Sequence, residues 1–272
     1  GNLLLRDQSL ATAAECASSA GDSLRLDYFE ANRARYAVLR NVRQSHLVWG
    51  NRFPDDLSGM HPGVAASVHT YFATRDYSSG NFAQAIVQFD RAFAAASQTG
   101  QLLVSVVAAI NAGNTYEALN DHDAALACLQ RGLDLARTTG WAITLGPCLH
   151  QMAEIMGAMG RLDAAQAMLD EATQVYAPLR HSRNYGAILT SQGQLAQKRG
   201  DYVRALDLFR QQVSRAQHLG QIDQVIEAQT GVAIALLELG DTTQAEAEVG
   251  AALQMAQHQG ATILEVGAQR LR

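Results

Sequence analysis

Long apolar runs are missing from this sequence. Residues 102–110, among the longest such stretches, are broken by Ser105 and fall far short of the ~18 residues a membrane span requires. No membrane partner is therefore expected. Cysteine is scarce: Cys16, Cys128 and Cys148 are too few and too odd in number for a disulfide framework, which favours a reducing, cytoplasmic compartment. Lysine is almost absent, since Lys198 is the only one and the other twenty basic residues are arginine. Both types carry one positive charge, so the skew points to codon usage rather than to phosphate chemistry. An excess of positive charge is lacking too: 21 basic against 26 acidic residues give −5, with pI near 5.9, and no nucleic-acid surface is expected. Gly1-Asn2-Leu3-Leu4-Leu5-Arg6 has neither the basic leader nor the apolar stretch of a secretory signal. Four prolines and 6% aromatics leave room for alanine at about every sixth position, which points to helix. At ~150 residues per domain, 272 residues make one large unit or two small ones, with ample material for a core.

A period is what the sequence does have. Gly80, Gly160, Gly200 and Gly240, with Asn120 in the missing step, recur every forty residues. Gly100, Gly140, Gly220 and Gly260 form a second ladder that lapses at Arg180. A third runs Ala85, Ala125, Ala165, Ala205 and Ala245, and a fourth holds only small residues: Ala73, Gly113, Ala153, Gly193 and Ala233. Four ladders in fixed phase define a repeat architecture. Between the rungs the spacing is helical, as where Tyr202, Ala205, Leu206 and Phe209 share one stripe. Asn81, Asp121, Asp201 and Asp241 follow the turn residue where an N-cap is wanted, and Arg161 breaks the pattern. The Gly100 ladder predicts left-handed glycines at helix ends. Each copy thus reads as two antiparallel helices and two short turns, with small residues where backbones approach closely. The fold class is all-α.

This pattern resembles the tetratricopeptide repeat, on Gly193, Ala205, the aromatic Phe209, and the later small residue at Ala92, Ala172 and Ala252, from which Gly132 and Gln212 depart. The tryptophan of the first helix is absent, the closing proline is replaced by glycine, and the spacing is forty rather than about thirty-four. The resemblance covers roughly residues 64–272. It implies an α-α superhelix, a solenoid of five helix pairs of about forty residues plus a truncated first helix of a sixth over 261–272. Residues 1–63 do not carry the ladder. There, 11–20 and 24–40 read as helices joined at Gly21-Asp22, a degenerate or capping pair, and 49–54 with 59–63 as an irregular connection. Starting at glycine and stopping in mid-helix, the sequence reads as a piece of a longer protein.

Catalytic motifs are lacking. No G-x-x-x-x-G-K-[ST], G-x-G-x-x-G after a strand, H-E-x-x-H or G-x-S-x-G occurs, so no enzyme, cofactor or metal site is expected in this segment. His122-Asp123 reads as an exposed helix start, and His218 and His258 as cations favoured near helix C-termini. Cys128 and Cys148, on facing halves of neighbouring repeats, read as small buried thiols, with a redox pair as the sharper alternative. Arg25, Arg33, Arg35, Arg40 and Arg43, interleaved with Asp27 and Glu30, read as a solvated face with ion pairs along the helix, or else as a contact for an acidic partner or another domain.

The tetratricopeptide register implies that the fifth, sixth, ninth and twelfth positions of each unit face inward. They are Thr70, Tyr71, Thr74 and Tyr77; Ile110, Asn111, Asn114 and Glu117; His150, Gln151, Glu154 and Gly157; and Thr190, Ser191, Gln194 and Gln197. This surface is polar and nearly uncharged. Side-chain amides both donate and accept, so they can pair with the main chain of an extended peptide whatever its sequence. A protein or peptide segment in a concave groove is the expected partner, and self-association into a homodimer is the second. As a whole the chain resembles the long arrays ahead of GGDEF diguanylate cyclase domains. That resemblance implies a non-enzymatic sensory module controlling a cyclase domain outside this segment. The alternatives are the peptide- or protein-sensing part of a transcription regulator with a separate DNA-binding domain, and a stand-alone scaffold.

Overall fold

The structure, a computed structural model, describes residues 3–259. Gly260 and the expected helix over 261–272 lie outside the described residues. Every regular element among those described is helical, and no described helix is long and apolar enough to cross a membrane. The chain divides into two compact units, 1–144 and 145–272.

Unit 1 opens with α1 (Leu3–Ser19) packed on α2 (Ser23–Arg40). Gly21 turns the chain at φ +68°, and the Asp22 carboxylate accepts the Arg25 amide at 3.0 Å. Helix α1 thus begins eight residues ahead of the stretch that the sequence pattern marks. Helix α3 (Val42–Trp49) carries no repeat signal and is created by one residue. Asn41 takes an extended conformation; its amide closes α2 on Ala37 O at 3.1 Å, while its side chain accepts the Gln44 amide at 2.9 Å and starts α3. The connection after α3 is a packed plug. Trp49, Phe53 and Leu57 are buried with Val38, Val64, Val68, Tyr71 and Phe72. Trp49 stacks on Phe53 at 6.2 Å between centroids, and Phe53 meets the Tyr71 ring edge-on at 6.3 Å. Two repeat pairs complete the unit: α4 (Pro62–Ser78) with α5 (Phe82–Gln98), and α6 (Leu102–Ala118) with α7 (His122–Thr139).

In the basic run one ion pair is local, Arg25 with Asp22 at 3.3 Å, and the others cross between elements. Arg33 and Arg40 of α2 converge on Asp7 of α1, at 3.1 and 3.0 Å, and Arg52 pairs with Glu30. Burial alone would raise the Asp7 pKa, but the hydrogen bonds and charges of the two arginines hold it below its ordinary value.

Unit 2 comprises α8 (Ala142–Ala158), whose first turn belongs to unit 1, then α9 (Leu162–Tyr176), α10 (Arg183–Lys198), α11 (Tyr202–His218), α12 (Ile222–Glu238) and α13 (Thr242–Gln259). A short 3-10 turn, Ala177–Leu179, stands where the glycine ladder lapses at Arg180. That lapse and the departure at Gln212 have one cause. Gln212, fully buried, donates to Gln224 at 3.3 Å, and Gln224 donates to Arg183 O at 2.9 Å. Arg215 donates to Arg180 O at 2.8 Å, to Gln212 Oε1 at 3.2 Å and to Ser182 O. A polar network thus replaces the glycine turn by holding its carbonyls from α11 and α12.

The remaining rungs do what their chemistry predicts. Gly80, Gly160, Gly200, Gly240 and Asn120 all have φ between +59° and +86°. Ala73, Ala85, Ala125, Ala165, Ala205 and Ala233 are sealed from solvent or nearly so. A Cβ on Gly193 would lie 2.7 Å from the Phe209 ring, and one on Gly231 would lie 2.6 Å from the same ring. Asp121, Asp201 and Asp241 each accept an amide at 3.0–3.1 Å, whereas Asn81 stands at the cap position without a side-chain bond. Arg161 also makes no cap bond.

Candidate functional site

The expected inward positions separate into three fates. Some are core. Tyr71 is completely buried among Phe53 and Phe72, and burial pushes its phenol pKa up. Thr190 is 3% exposed, and its neighbour Ser191 7%. Tyr71 and Thr190 are therefore corrected from partner contacts to packing residues: the plug after α3 covers the first, and close helix contact covers the second.

Four others come together in unit 1. Thr74 and Tyr77 of α4 and Asn111 and Asn114 of α6 line a cavity of about 380 Å³. Its other wall is apolar, from Val38 and Leu39 at the end of α2, Val42 at the start of α3, and Phe89 of α5. The lip is polar, with Arg40 and Asn41. Thr74 spends its hydroxyl on Thr70 O at 2.8 Å and so anchors its own helix. Tyr77 is 39% exposed. Asn114 Oδ1 is shut off from water and has no hydrogen-bond donor, a condition that costs about 1–3 kcal/mol. Glu117, one turn further along α6, is half-buried and does not line the cavity. Sequence reasoning missed the wall at 38–42 because that stretch has no counterpart in the ladder. Asn41, a capping residue between two apolar stretches, was the signal present.

The corresponding side chains of unit 2 satisfy one another. His150 Nε2 lies 2.8 Å from Ser191 Oγ, and that hydroxyl donates to Glu154 Oε1 at 3.0 Å. With its one hydrogen so used, Ser191 must accept from the imidazole. Gln151 donates to Glu154 Oε2 at 3.4 Å, and Gln197 donates to Gly231 O at 3.2 Å. Gln194 is exposed. The cavity beside Glu154, Ser191 and Gln194 holds only about 90 Å³. Serine, histidine and carboxylate here do not form a nucleophilic relay. Glu154 approaches the same ring nitrogen as the serine, at 3.5 Å, whereas a relay needs the carboxylate on the other nitrogen. Burial lowers the His150 pKa, opposed by the Glu154 charge. Burial, then the charges of Glu154 and Asp223, raise that of Glu227.

The remaining candidates are structural. His122 is half-buried rather than exposed, and His218 and His258 lie in the last turns of α11 and α13. No three His, Cys, Asp or Glu side chains among the described residues are placed to hold a metal. Cys128 and Cys148 are free and buried. Desolvation pushes the Cys148 thiol up to about 12 and raises that of Cys128, the opposite of what a reactive thiol needs.

The tetratricopeptide repeat family model matches residues 66–138 and 147–218. No curated protein matches the chain. Among solved structures, a Rap protein complexed with competence and sporulation factor superposes at TM-score 0.70 with 11% identity, over 96% of this chain and 78% of that one. The apo quorum sensor NprR from B. thuringiensis gives 0.68 and 13%, over 98% and 80%. The Rap conjugation gene regulator of plasmid pLS20, in complex with the Phr* peptide, gives 0.63 and 14%, over 99% and 78%. At these identities the likeness establishes a shared fold.

Proposed function

We propose that this chain, which belongs to the tetratricopeptide repeat family, is a non-enzymatic, peptide-responsive regulatory module whose ligand enters the unit 1 cavity. The observation that carries this reading is the unpartnered Asn114 Oδ1 at the wall of a 380 Å³ cavity with one apolar side. Turning of the Asn114 amide into the cavity brings its oxygen to a peptide main-chain N–H, Asn111 pairs with a neighbouring peptide group, and an apolar side chain lies against Val38, Leu39 and Val42. The Rap regulator that holds the Phr* peptide supports a peptide-sensing regulator over the cyclase-controlling array that the sequence suggests. Three free thiols support a cytoplasmic setting.

The test is retention of a displayed random-peptide library on the whole chain, repeated with an Asn111→Ala/Asn114→Ala variant. Peptides enriched on the parent should lose at least tenfold in affinity on the variant, about 1.4 kcal/mol. Equal retention by both would remove this cavity as the ligand site.

A further inference from the structure

Unit 1 contains a second cavity, of about 500 Å³, that shares no lining residue with the first. It lies among α1, α2 and the start of α6, and falls in the ~300–1,000 Å³ range of small-molecule sites. Its charged wall is made by two arginines on one aromatic ring. The guanidinium carbons of Arg6 and Arg35 stand 4.6 and 4.7 Å from the Tyr36 ring centroid. Arg35 donates to Asn32 Oδ1 at 3.0 Å and to the Tyr36 hydroxyl at 2.7 Å, both neutral acceptors. Among the described residues no carboxylate lines the cavity. Arg33 and Arg40, on the same helix, share the carboxylate of Asp7. In a chain of net charge −5, two cations thus border one ring, and no carboxylate among the described residues pairs with either.

The rest of the lining is mostly apolar, with Leu10, Leu102, Leu103 and Val104 beside the rings of Tyr28 and Trp141. Trp141 is 53% exposed and Tyr28 39%. The amides that could hold a peptide main chain are already engaged: Asn32 Nδ2 donates to Tyr28 O at 2.8 Å and Gln101 Nε2 to Gly63 O at 3.1 Å. Because Gln101 is turned away, the first amides of α6 have no side-chain acceptor at the cavity edge. From this combination of two guanidiniums on one ring and exposed aromatic rings, with the amide donors already engaged, we infer that the cavity binds a planar aromatic anion of the nucleoside monophosphate class. The phosphate lies against Arg6 and Arg35, and the base stacks on Trp141. This site is independent of the peptide reading, since it uses other residues.

The molecule carries its own reporter. Trp141 and Trp49 are its two tryptophans, and Trp49 is buried in the plug. Titration of the whole chain with adenosine monophosphate should quench Trp141 fluorescence saturably. Adenosine and inorganic phosphate should each bind at least ~tenfold more weakly, because each supplies half of the contacts. Arg6→Gln and Arg35→Gln should each weaken binding at least ~tenfold, and Trp141→Leu at least ~fivefold by calorimetry. If Arg35→Gln lowers the melting temperature, Arg6→Gln decides, because its side chain is exposed. Three results would overturn the assignment: no saturable binding of adenosine, guanosine, cytidine or uridine monophosphate, phosphate binding as tightly as the nucleotide, or Arg6→Gln binding like the parent.

Discussion

Asn111 and Asn114 of unit 1 recur forty residues later as Gln151 and Glu154 of unit 2, at equivalent repeat positions. In unit 1 the pair borders a 380 Å³ cavity, and one of its oxygens has no partner. In unit 2 the equivalent side chains bond each other and Ser191, beside a space of about 90 Å³. Repeat register alone therefore does not make a cavity. Unit 1 gains its cavity from residues outside the repeat, the Val38–Val42 elbow, while unit 2 closes its polar groups with a serine from the adjacent helix.

The largest effect separates support from binding. Phe209→Ala empties the space that Gly193 and Gly231 keep for the ring and should cost about 3–5 kcal/mol in urea unfolding. Peptide binding under folding conditions should survive it; loss of binding with the fold intact would place the ligand in unit 2. Next is the paired test of the two faces. Asn111→Ala/Asn114→Ala should lose peptide at least tenfold, about 1.4 kcal/mol, while Gln194→Ala/Gln197→Ala should change it less than about twofold. A reversed order would invert the comparison.

A smaller effect lies in pH. His150 has a lowered folded pKa, so its contribution to stability is complete above the unfolded value of 6.5 and is lost as pH falls from there through the lower folded value. Glu227, raised, acts in the opposite sense, contributing below 4.5 and losing that contribution as pH rises. His150→Gln should flatten the decline in urea stability between about pH 7.5 and 5.5, and an unchanged slope would remove His150 as its source. Least consequential is thiol labelling. At mildly alkaline pH native protein should release one equivalent from a chromogenic disulfide reagent, at exposed Cys16, and three after denaturation. Rapid native labelling of Cys148 would contradict a pKa near 12.

Much of this molecule is legible in forty-residue arithmetic because close helix packing and left-handed turns each demand a residue type. Ala205 has no room to be larger, and Gly200 at φ +76° has no easy substitute. The sites were less legible. Tyr71 occupies an inward position by register, yet it is core because a plug without any repeat signal covers it. Ser191 marks the opposite lesson, since its role emerges only when α8 and α10 place His150 and Glu154 against it. The second cavity was invisible for the same reason: Arg6, Arg35 and Trp141 lie far apart in sequence.

The Phe209 ring has a consequence for how such chains can be rearranged. It rests between Gly193, in its own forty-residue copy, and Gly231, in the following one. A recombination that cut at the turn after α11 and joined a copy with a bulkier residue at the second position would leave the ring nowhere to go. The smallest segment that can be duplicated or transplanted here without a jammed or hollow seam is therefore three helices, α10 to α12, although the visible period is two.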